Sequence, residues 1–341
     1  MKKDFWRNAT VAVIGGGSWG SVLANLVAEN CPEVRVWLRD EESVRAMNAT
    51  RSLPKYLPDM KLNQRVRALT ELERVFDGGV HAVIWALPAK ACRERAREAA
   101  KYFDGSEVLL HATKGVEPVT LKRVSVMLEE ELPCPRIGVI SGPNLAHEIA
   151  AGKPAATVVA SRYREVVEAG QEILSTSKFR VYGGKDVVGT EWAGALKNVV
   201  AIAAGWLDGL ELGENMRAML ISRGVGEMVR LGTALGGQQS SFLGLAGVGD
   251  VMATCSSPLS RNYRVGLGLA QGRTLDAILE DLGSTAEGIQ TARSIAAYAK
   301  DRKLSVPIFE AVHRVLEGVA TVRGALDELM SGSVSADITM G

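Results

Sequence analysis

The sequence lacks the features that mark secreted, membrane-spanning and metal-binding proteins. It has only four cysteines, at positions 31, 92, 134 and 255, and none of them forms a C-x-x-C pair. Such sparse cysteines fit neither a disulfide framework nor a zinc site, so we expect four buried free thiols and no metal. No run approaches the ~18 consecutive apolar residues of a membrane span, and the N-terminal stretch lacks the apolar region of a signal peptide. We therefore expect a cytoplasmic protein without an integral membrane segment.

The sequence also lacks an excess of either charge. It has 40 Lys and Arg against 39 Asp and Glu, a formal net charge of +1, and no basic block. A nucleic-acid partner is therefore not expected, whereas a small anion needs only two or three basic residues. The hydrophobic fraction of 47% and the charged fraction of 23% are those of a folded globular protein. A length of 341 residues favours two domains.

Short apolar runs alternate with helical segments over residues 10–150. The runs are Thr10–Ile14, Val34–Leu38, Val80–Leu87, Glu107–Ala112 and Ile137–Ile140. This alternation predicts a Rossmann-type α/β domain with a parallel, doubly wound sheet. From residue 191 onward the stretches are rich in Ala, Leu and Gly, have helical spacing and contain no convincing strand. We predict a dinucleotide-binding domain over 1–190, ending after the turn-prone Gly183–Gly184, and an all-helical domain over 191–341.

A glycine-rich segment follows the first predicted strand. Thr10–Ile14 leads directly into Gly15-Gly16-Gly17-Ser18-Trp19-Gly20 and then into a helical segment, which is the G-x-G-x-x-G pattern in its strand–turn–helix context. Gly15 permits the tight turn, Gly17 lets a pyrophosphate approach the backbone, and Gly20 lets the helix pack on the strand. The helix N-terminus then attracts the pyrophosphate. The segment predicts dinucleotide binding.

Arg39 and Asp40 follow the second predicted strand, where the residue that faces the adenosine ribose normally stands. A guanidinium there suits a 2′-phosphate, whereas a carboxylate would bind the 2′-hydroxyl of NAD. Because Arg39 comes first, the sequence favours NADPH, and the adjacent Asp40 leaves NAD open.

Polar residues also follow the fourth and fifth predicted strands. Lys114 comes after the fourth strand, and Gly142 and Asn144 come after the fifth. The carboxyl ends of such strands face the ligand crevice, so Lys114 is well placed to meet an anionic substrate. The alternatives are a solvated loop lysine and a helix cap without further function.

Lys197 and Asn198 interrupt a largely apolar helical segment. A buried amine needs a partner or a cavity, and burial suits it to proton transfer near neutral pH. The alternative is a lysine that extends to solvent while its stem packs. Further along, Asp250 and Thr254 share a helical face, and Asp250 either holds the lysine or a substrate hydroxyl, or merely caps a helix.

The segment Ser260-Arg261-Asn262 stands at a predicted helix start. Its arginine and backbone N–H groups could grip a phosphate, and the alternative is a capped helix with an exposed arginine.

Together these segments resemble the bacterial NAD(P)-dependent glycerol-3-phosphate dehydrogenases over residues 10–320. Seven blocks occur in the family's order: Gly15–Gly20, Ala112–Gly115, Ser141–Pro143, Gly194–Asn198, Leu245–Asp250, Leu259–Asn262 and Ala286–Gly288. The resemblance implies hydride transfer between NAD(P)H and dihydroxyacetone phosphate, which gives sn-glycerol 3-phosphate for phospholipid synthesis. It also implies a helical domain like the C-terminal domain of 6-phosphogluconate dehydrogenase, and a homodimer is one possible assembly.

The resemblance implies a role for each matching residue. Lys197 would donate and accept the proton, with Lys114, Asn198 and Asp250 as the other catalytic residues. Substrate contacts would come from Lys114, Gly142, Asn144, Lys197, Asp250, Thr254, Ser260, Arg261 and Asn262. Beside the glycines, cofactor contacts would come from Ser18, Trp19, Arg39, Lys114, Ala146, Arg261, Thr285 and Glu287. Three positions depart from the family's usual residue: Asn144, Thr285 and Ala89.

Two other functions fit the same pattern. One is a related dehydrogenase with the same two domains that acts on a 3-hydroxyacid or on 6-phosphogluconate. The other is a catalytically silent dinucleotide sensor, which would bind NADPH without turnover.

Overall fold

The computed structural model describes residues 5–283 and 286–331, which form two compact units. The first unit comprises the chain up to Lys114 together with Lys122–Val187, and the second comprises Gly115–Leu121 together with the chain from Val188 onward. The division lies at the start of a helix that begins at Val187, a few residues before the predicted boundary at 190/191. The sequence did not reveal that residues 115–121 belong with the helical unit.

The first unit contains an eight-stranded sheet with the strand order β3-β2-β1-β4-β5-β6-β7-β8. Its strands are β1 (Thr10–Ile14), β2 (Glu33–Trp37), β3 (Val66–Leu69), β4 (Ala82–Trp85), β5 (Val108–His111), β6 (Ile137–Ser141), β7 (Ala155–Ser161) and β8 (Phe179–Gly184). The strand order reverses beside β1, which confirms the doubly wound topology. Strands β1 to β6 are mutually parallel, as predicted, whereas β7, which the sequence did not predict, runs antiparallel to β6.

Strands of the sheet are buried on both faces. Val11 and Val13 of β1 pack into the core on one face, and Ala12 and Ile14 pack into the core on the other. This alternation explains why the central strands read as continuous apolar runs. All five predicted strands are present, although the run Val80–Leu87 forms a strand only over Ala82–Trp85.

Gly183 and Gly184 do not form the predicted turn. They end strand β8 and pair in parallel with Val159 and Ala160 of β7. A Cβ atom on Gly183 would lie 2.7 Å from a methyl group of Val167, so the glycine permits close packing of a helix against the strand.

Helices cover both faces of the sheet. They are α1 (Ser18–Asn30), α2 (Glu41–Ala49), α3 (Leu72–Phe76), α4 (Ala89–Ala99), α5 (Val124–Glu131), α6 (Ala146–Ala150) and α7 (Arg164–Leu174). Apolar residues of α1 and α7 share one core cluster, and those of α4 and α5 share the other. The carboxyl ends of the parallel strands therefore emerge between two helical layers, where ligands bind in such folds.

The second unit is helical, and no strand occurs over residues 188–283 or 286–331. Its helices are α8 (Val187–Gly209), α9 (Gly213–Ala234), α10 (Gln239–Leu243), α11 (Asp250–Cys255), α12 (Arg261–Ala270), α13 (Leu275–Leu282), α14 (Glu287–Arg302), α15 (Pro307–Leu316) and α16 (Val322–Ser331), with a π-helical turn at Leu245–Gly249. Helix α8 is buried from residue 190 to residue 207, which marks it as the central helix of the unit. Across the described ranges, no helix is both long and apolar enough to cross a membrane.

Candidate active site

The glycine-rich segment forms a tight turn between β1 and α1. Gly15 has a φ of +113°, a conformation that favours glycine. Its N–H donates to the carbonyl oxygen of Trp37 at 3.1 Å, which ties the turn to the end of β2. A Cβ atom on Gly20 would lie 1.7 Å from the Gly15 carbonyl oxygen. The turn and the close helix packing that the sequence predicted are therefore present.

The N-terminus of α1 offers backbone donors. Gly17 is the N-cap residue in extended conformation, and the first intrahelical bond runs from the Ser21 N–H to the Gly17 carbonyl at 2.9 Å. Within the described ranges, no side chain caps this helix, and the space where Gly17 would carry a Cβ atom is open to at least 4 Å. An anionic group can therefore approach the first N–H groups of the helix.

Arg39 and Asp40 have different environments after β2. Asp40 is the N-cap of α2, and its Oδ2 accepts hydrogen bonds from the backbone N–H of Ser43 at 3.0 Å and from the Ser43 hydroxyl. These bonds hold the pKa of Asp40 below its usual value. Arg39 is exposed. The carboxylate therefore already has a structural role, and the guanidinium lies at the surface.

Lys114 meets the segment that follows β6. Its Nζ donates to the carbonyl oxygen of Gly142 at 2.9 Å. Asn144 binds strand β7, since its Nδ2 donates to the Ala156 carbonyl at 3.1 Å and its Oδ1 accepts from Thr157 Oγ1 at 2.9 Å. The structure thus brings together three residues predicted to hold substrate. Thr157 was missed because its strand was not predicted.

Lys197 lies in a buried network with Asp250 and Thr254. The three side chains belong to residues that are 6%, 2% and 4% exposed. Lys197 Nζ donates to Asp250 Oδ1 at 3.0 Å and to Thr254 Oγ1 at 2.5 Å. Thr254 Oγ1 in turn donates to Asp250 Oδ1 at 3.2 Å. The alternative of a lysine that extends to solvent is therefore wrong.

Asp250 does not cap a free helix start. It has helical backbone angles and follows the π-helical turn Leu245–Gly249 without interruption. Its carboxylate instead balances the charge of Lys197, and the prediction that Asp250 and Thr254 share one face is confirmed. Among the described residues Lys197 Nζ has two acceptors, and an ammonium group has three N–H donors, so one N–H is left for a further acceptor.

Asn198 and Asn262 form a second buried network beside the first. Asn262 Nδ2 donates to Asn198 Oδ1 at 2.8 Å, and Asn262 Oδ1 accepts from the backbone N–H of Gly288 at 3.0 Å. Asn198 Nδ2 donates to the Gly194 carbonyl at 3.3 Å. Asn262 therefore joins α8, α12 and α14, a structural role that the sequence did not indicate.

Helix α12 begins as predicted. Ser260 is its N-cap, with Oγ accepting from the Tyr263 N–H at 3.3 Å, and Arg261 is its first residue and is exposed. The helix start that could receive a phosphate is therefore present, whereas the phosphate contact stays a prediction.

Three other predicted cofactor contacts lie in the first turns of three different helices. Ala146 and Glu287 are the first residues of α6 and α14, and both are half-buried. Trp19, in the first turn of α1, is half-buried with its ring 6.4 Å from that of Phe179. Thr285 lies outside the described residues.

All four cysteines are free and buried, as predicted. Cys255 lies beside the Lys197 network, where burial raises the pKa of its thiol to about 12. The thiol is therefore neutral and does not serve as a nucleophile.

Two family models match the chain. The N-terminal model of the NAD-dependent glycerol-3-phosphate dehydrogenases matches residues 10–167, and the C-terminal model of the same family matches residues 186–327. Together they include both the glycine turn and the Lys197 network.

Individual relatives match over nearly their whole length. The glycerol-3-phosphate dehydrogenase [NAD(P)+] of Oceanobacillus iheyensis is 41% identical over 94% of this chain and 93% of its own. That of Pseudomonas fluorescens is 43% identical over 96% of this chain and 92% of its own. The crystal structure of glycerol-3-phosphate dehydrogenase from Coxiella burnetii has a TM-score of 0.90 and 34% identity, covering 95% of this chain and 99% of that one.

Proposed function

Because the chain belongs to the family of NAD-dependent glycerol-3-phosphate dehydrogenases and is an NAD(P)-dependent oxidoreductase, we propose that it interconverts dihydroxyacetone phosphate and sn-glycerol 3-phosphate. The buried ion pair of Lys197 and Asp250 carries this proposal. A buried charge pair contributes little net stability, whereas a fixed amine that can exchange a proton is what carbonyl reduction requires.

Lys197 is the proposed proton donor. When bound, the nicotinamide supplies the hydride for reduction and accepts it in the reverse direction. Lys197 Nζ protonates the carbonyl oxygen as it gains negative charge, and it takes the proton back in the oxidation. Asp250 and Thr254 orient the amine through the two hydrogen bonds that they accept. Asn198 and Lys114 complete the proposed catalytic set.

The glycine turn is the proposed pyrophosphate site, and it fits that group. The open space at Gly17 and the first N–H groups of α1 suit a bound phosphate anion. The commitment of Asp40 to capping α2 supports Arg39 as the contact of a 2′-phosphate, and therefore NADPH as the preferred cofactor. The remaining proposed cofactor contacts are Ser18, Trp19, Lys114, Ala146, Arg261, Thr285 and Glu287.

The start of helix α12 is the proposed phosphate site of the substrate. Ser260 and Arg261 stand at this helix N-terminus, where a guanidinium and backbone N–H groups can bind the same anion. Binding energy at the phosphate then positions the distant carbonyl group. The other proposed substrate contacts are Lys114, Gly142, Asn144, Lys197, Asp250, Thr254 and Asn262.

We further propose that the product serves phospholipid synthesis in the cytoplasm, where the four free cysteines would remain reduced. A homodimer stays a prediction, and light scattering of the purified chain tests it.

Steady-state rates test the proposed reaction. NADPH oxidation is measured with dihydroxyacetone phosphate, and NADP reduction is measured with 3-hydroxyacids and with 6-phosphogluconate. We expect turnover with dihydroxyacetone phosphate, faster at low cofactor concentration with NADPH than with NADH. Turnover with a hydroxyacid or 6-phosphogluconate alone would favour the related dehydrogenases, and NADPH binding without any turnover would favour the sensor.

A further inference from the structure

Asp250 lies directly after an unusual turn of the chain. Residues Leu245–Gly249 form a π-helical turn, in which the Gly249 N–H donates to the Gly244 carbonyl five residues earlier, at 3.2 Å. The chain then continues as helix α11 from Asp250. Single π-helical turns are rare and often mark functional sites, because they cost stability that must be recovered elsewhere.

The π-helical turn determines which way Asp250 faces. A π-helical turn contains about one residue more than an α-helical turn, so every side chain after it is displaced around the helix axis. Asp250 is the first residue affected, and Thr254 follows on the same face. Both side chains reach Lys197, which lies on α8, 53 and 57 residues earlier in the chain.

Phe242 is clamped between two glycines beside this turn. It is fully buried. A Cβ atom on Gly247, inside the π-helical turn, would lie 1.9 Å from the Phe242 carbonyl oxygen. A Cβ atom on Gly232, in helix α9, would lie 1.8 Å from the tip of the Phe242 ring. The turn therefore rests on the Phe242 backbone while the Phe242 ring rests on α9, and neither glycine position has room for a side chain.

We propose that Phe242, held between Gly232 and Gly247, is a positioning residue for proton transfer. It fixes the π-helical turn, and the turn directs the Asp250 carboxylate onto Lys197. The proposal rests on the proposed function, because it assumes that Lys197 exchanges the proton. It adds a determinant of catalytic geometry to the residues already proposed as catalytic.

The test compares Gly247→Ala with a matched control, Gly268→Ala. Gly268 lies on α12 in the same unit, and a Cβ atom there would lie 2.7 Å from the Ile278 side chain. We expect Gly247→Ala to lower kcat for dihydroxyacetone phosphate by at least ~10-fold, since small displacements of a catalytic group cost about that much or more. We also expect it to change the pH dependence of kcat while leaving NADPH affinity near that of the wild type. Gly268→Ala should lower the melting temperature but keep the wild-type pH dependence.

Phe242→Leu provides a second variant if Gly247→Ala does not fold. It replaces the Phe242 ring with a smaller side chain and leaves Gly247 unchanged. We expect a smaller loss of kcat than in Gly247→Ala, with the same change in the pH dependence of kcat. Wild-type kcat and pH dependence in the variants that fold would overturn the proposal. Lys197→Met distinguishes the positioning role of Phe242 from the proton-transfer role of Lys197. If Lys197→Met is inactive while Phe242→Leu and Gly247→Ala behave as wild type, only the positioning role fails. If Lys197→Met is fully active, the proposed function of Lys197 fails as well.

Discussion

The glycine turn of the first unit and the Lys197 network of the second unit handle charge in opposite ways. The turn comprises six consecutive residues, presents backbone N–H groups and leaves open space at Gly17. The network joins Lys197 to Asp250 and Thr254, which come 53 and 57 positions later in the chain. Its two buried charges, on Lys197 and Asp250, pair with each other. A reversible ligand needs donors that are still available, whereas proton transfer needs an amine in a fixed position. Under the proposed function, the two tasks are therefore carried by separate parts of one chain.

Removing the amine should have the largest effect. We expect Lys197→Met to lower kcat by about 10²–10⁴-fold, the usual contribution of a general acid. It should also destabilise the fold by about 3–5 kcal/mol, because the carboxylate of Asp250 would remain buried without its cation. Steady-state kinetics and denaturant unfolding measure the two effects.

The double variant Lys197→Met/Asp250→Asn is the control for stability. It removes both charges and should regain much of the lost unfolding free energy while activity stays low. A double variant as unstable as Lys197→Met would show that the buried charge is not the cause.

Adding a methyl group to the glycine turn should have the next largest effect, a loss of NADPH affinity. In Gly20→Ala the added methyl group would collide with the Gly15 carbonyl, so we expect the Kd for NADPH to rise roughly tenfold or more. Gly17→Ala is the matched variant, because its methyl group enters open space. It should keep the melting temperature of the cofactor-free protein and still weaken NADPH binding. Unchanged NADPH affinity in Gly17→Ala would argue against a pyrophosphate at this turn.

Arg39→Gln should affect only one cofactor. Losing a charge-assisted contact to a 2′-phosphate costs about 1.5–3 kcal/mol, so the KM for NADPH should rise roughly tenfold or more. The KM for NADH should stay near its wild-type value. Equal losses for both cofactors would mean that Arg39 does not contact the 2′-phosphate.

The smallest effect concerns stability away from both sites. Glu227 of α9 accepts the Ile308 N–H at 3.0 Å and the Phe309 N–H at 3.2 Å, which caps helix α15. Burial raises the pKa of this carboxyl from 4.5 to about 7. The two backbone hydrogen bonds and the charge of Arg230 lower the pKa, and the charge of Glu310 raises it further, but burial is the largest cause.

Between pH 4.5 and about pH 7, the folded chain therefore binds more protons at Glu227 than the unfolded chain does. As the pH rises through this window, the contribution of Glu227 to the free energy of unfolding should fall by on the order of 3 kcal/mol. Glu227→Gln should flatten that slope in urea unfolding measured at several pH values. An unchanged slope would assign the pH dependence to other groups.

The two sites also differ in how far the sequence predicts them. The glycine turn and the Ser260 cap of α12 depend on neighbouring residues, so local patterns were sufficient. The sequence also indicated that Lys197 needs a buried partner and that Asp250 and Thr254 share a face. It did not show that these groups meet, because the contact depends on the packing of helices distant in the chain.

Other features left little signal in the sequence. Strand β7 contains the polar residue Thr157. Strand β8 alternates apolar residues with Arg180 and Tyr182 and ends in two glycines. Neither sequence resembles the continuous apolar runs of the central strands. The π-helical turn before Asp250 spans only five residues, which is too short a stretch for apolar periodicity to reveal. The capping role of Asp40 and the helix-joining role of Asn262 became visible only from their hydrogen-bond partners.

Single-turnover kinetics of Lys197→Met tests most directly whether cofactor binding and proton transfer reside in separate parts of the chain. The variant is first titrated with NADPH, and the complex is then mixed rapidly with dihydroxyacetone phosphate while NADPH absorbance is followed. The account predicts a wild-type Kd for NADPH together with a rate of NADPH oxidation reduced at least ~100-fold. Oxidation at the wild-type rate would contradict it.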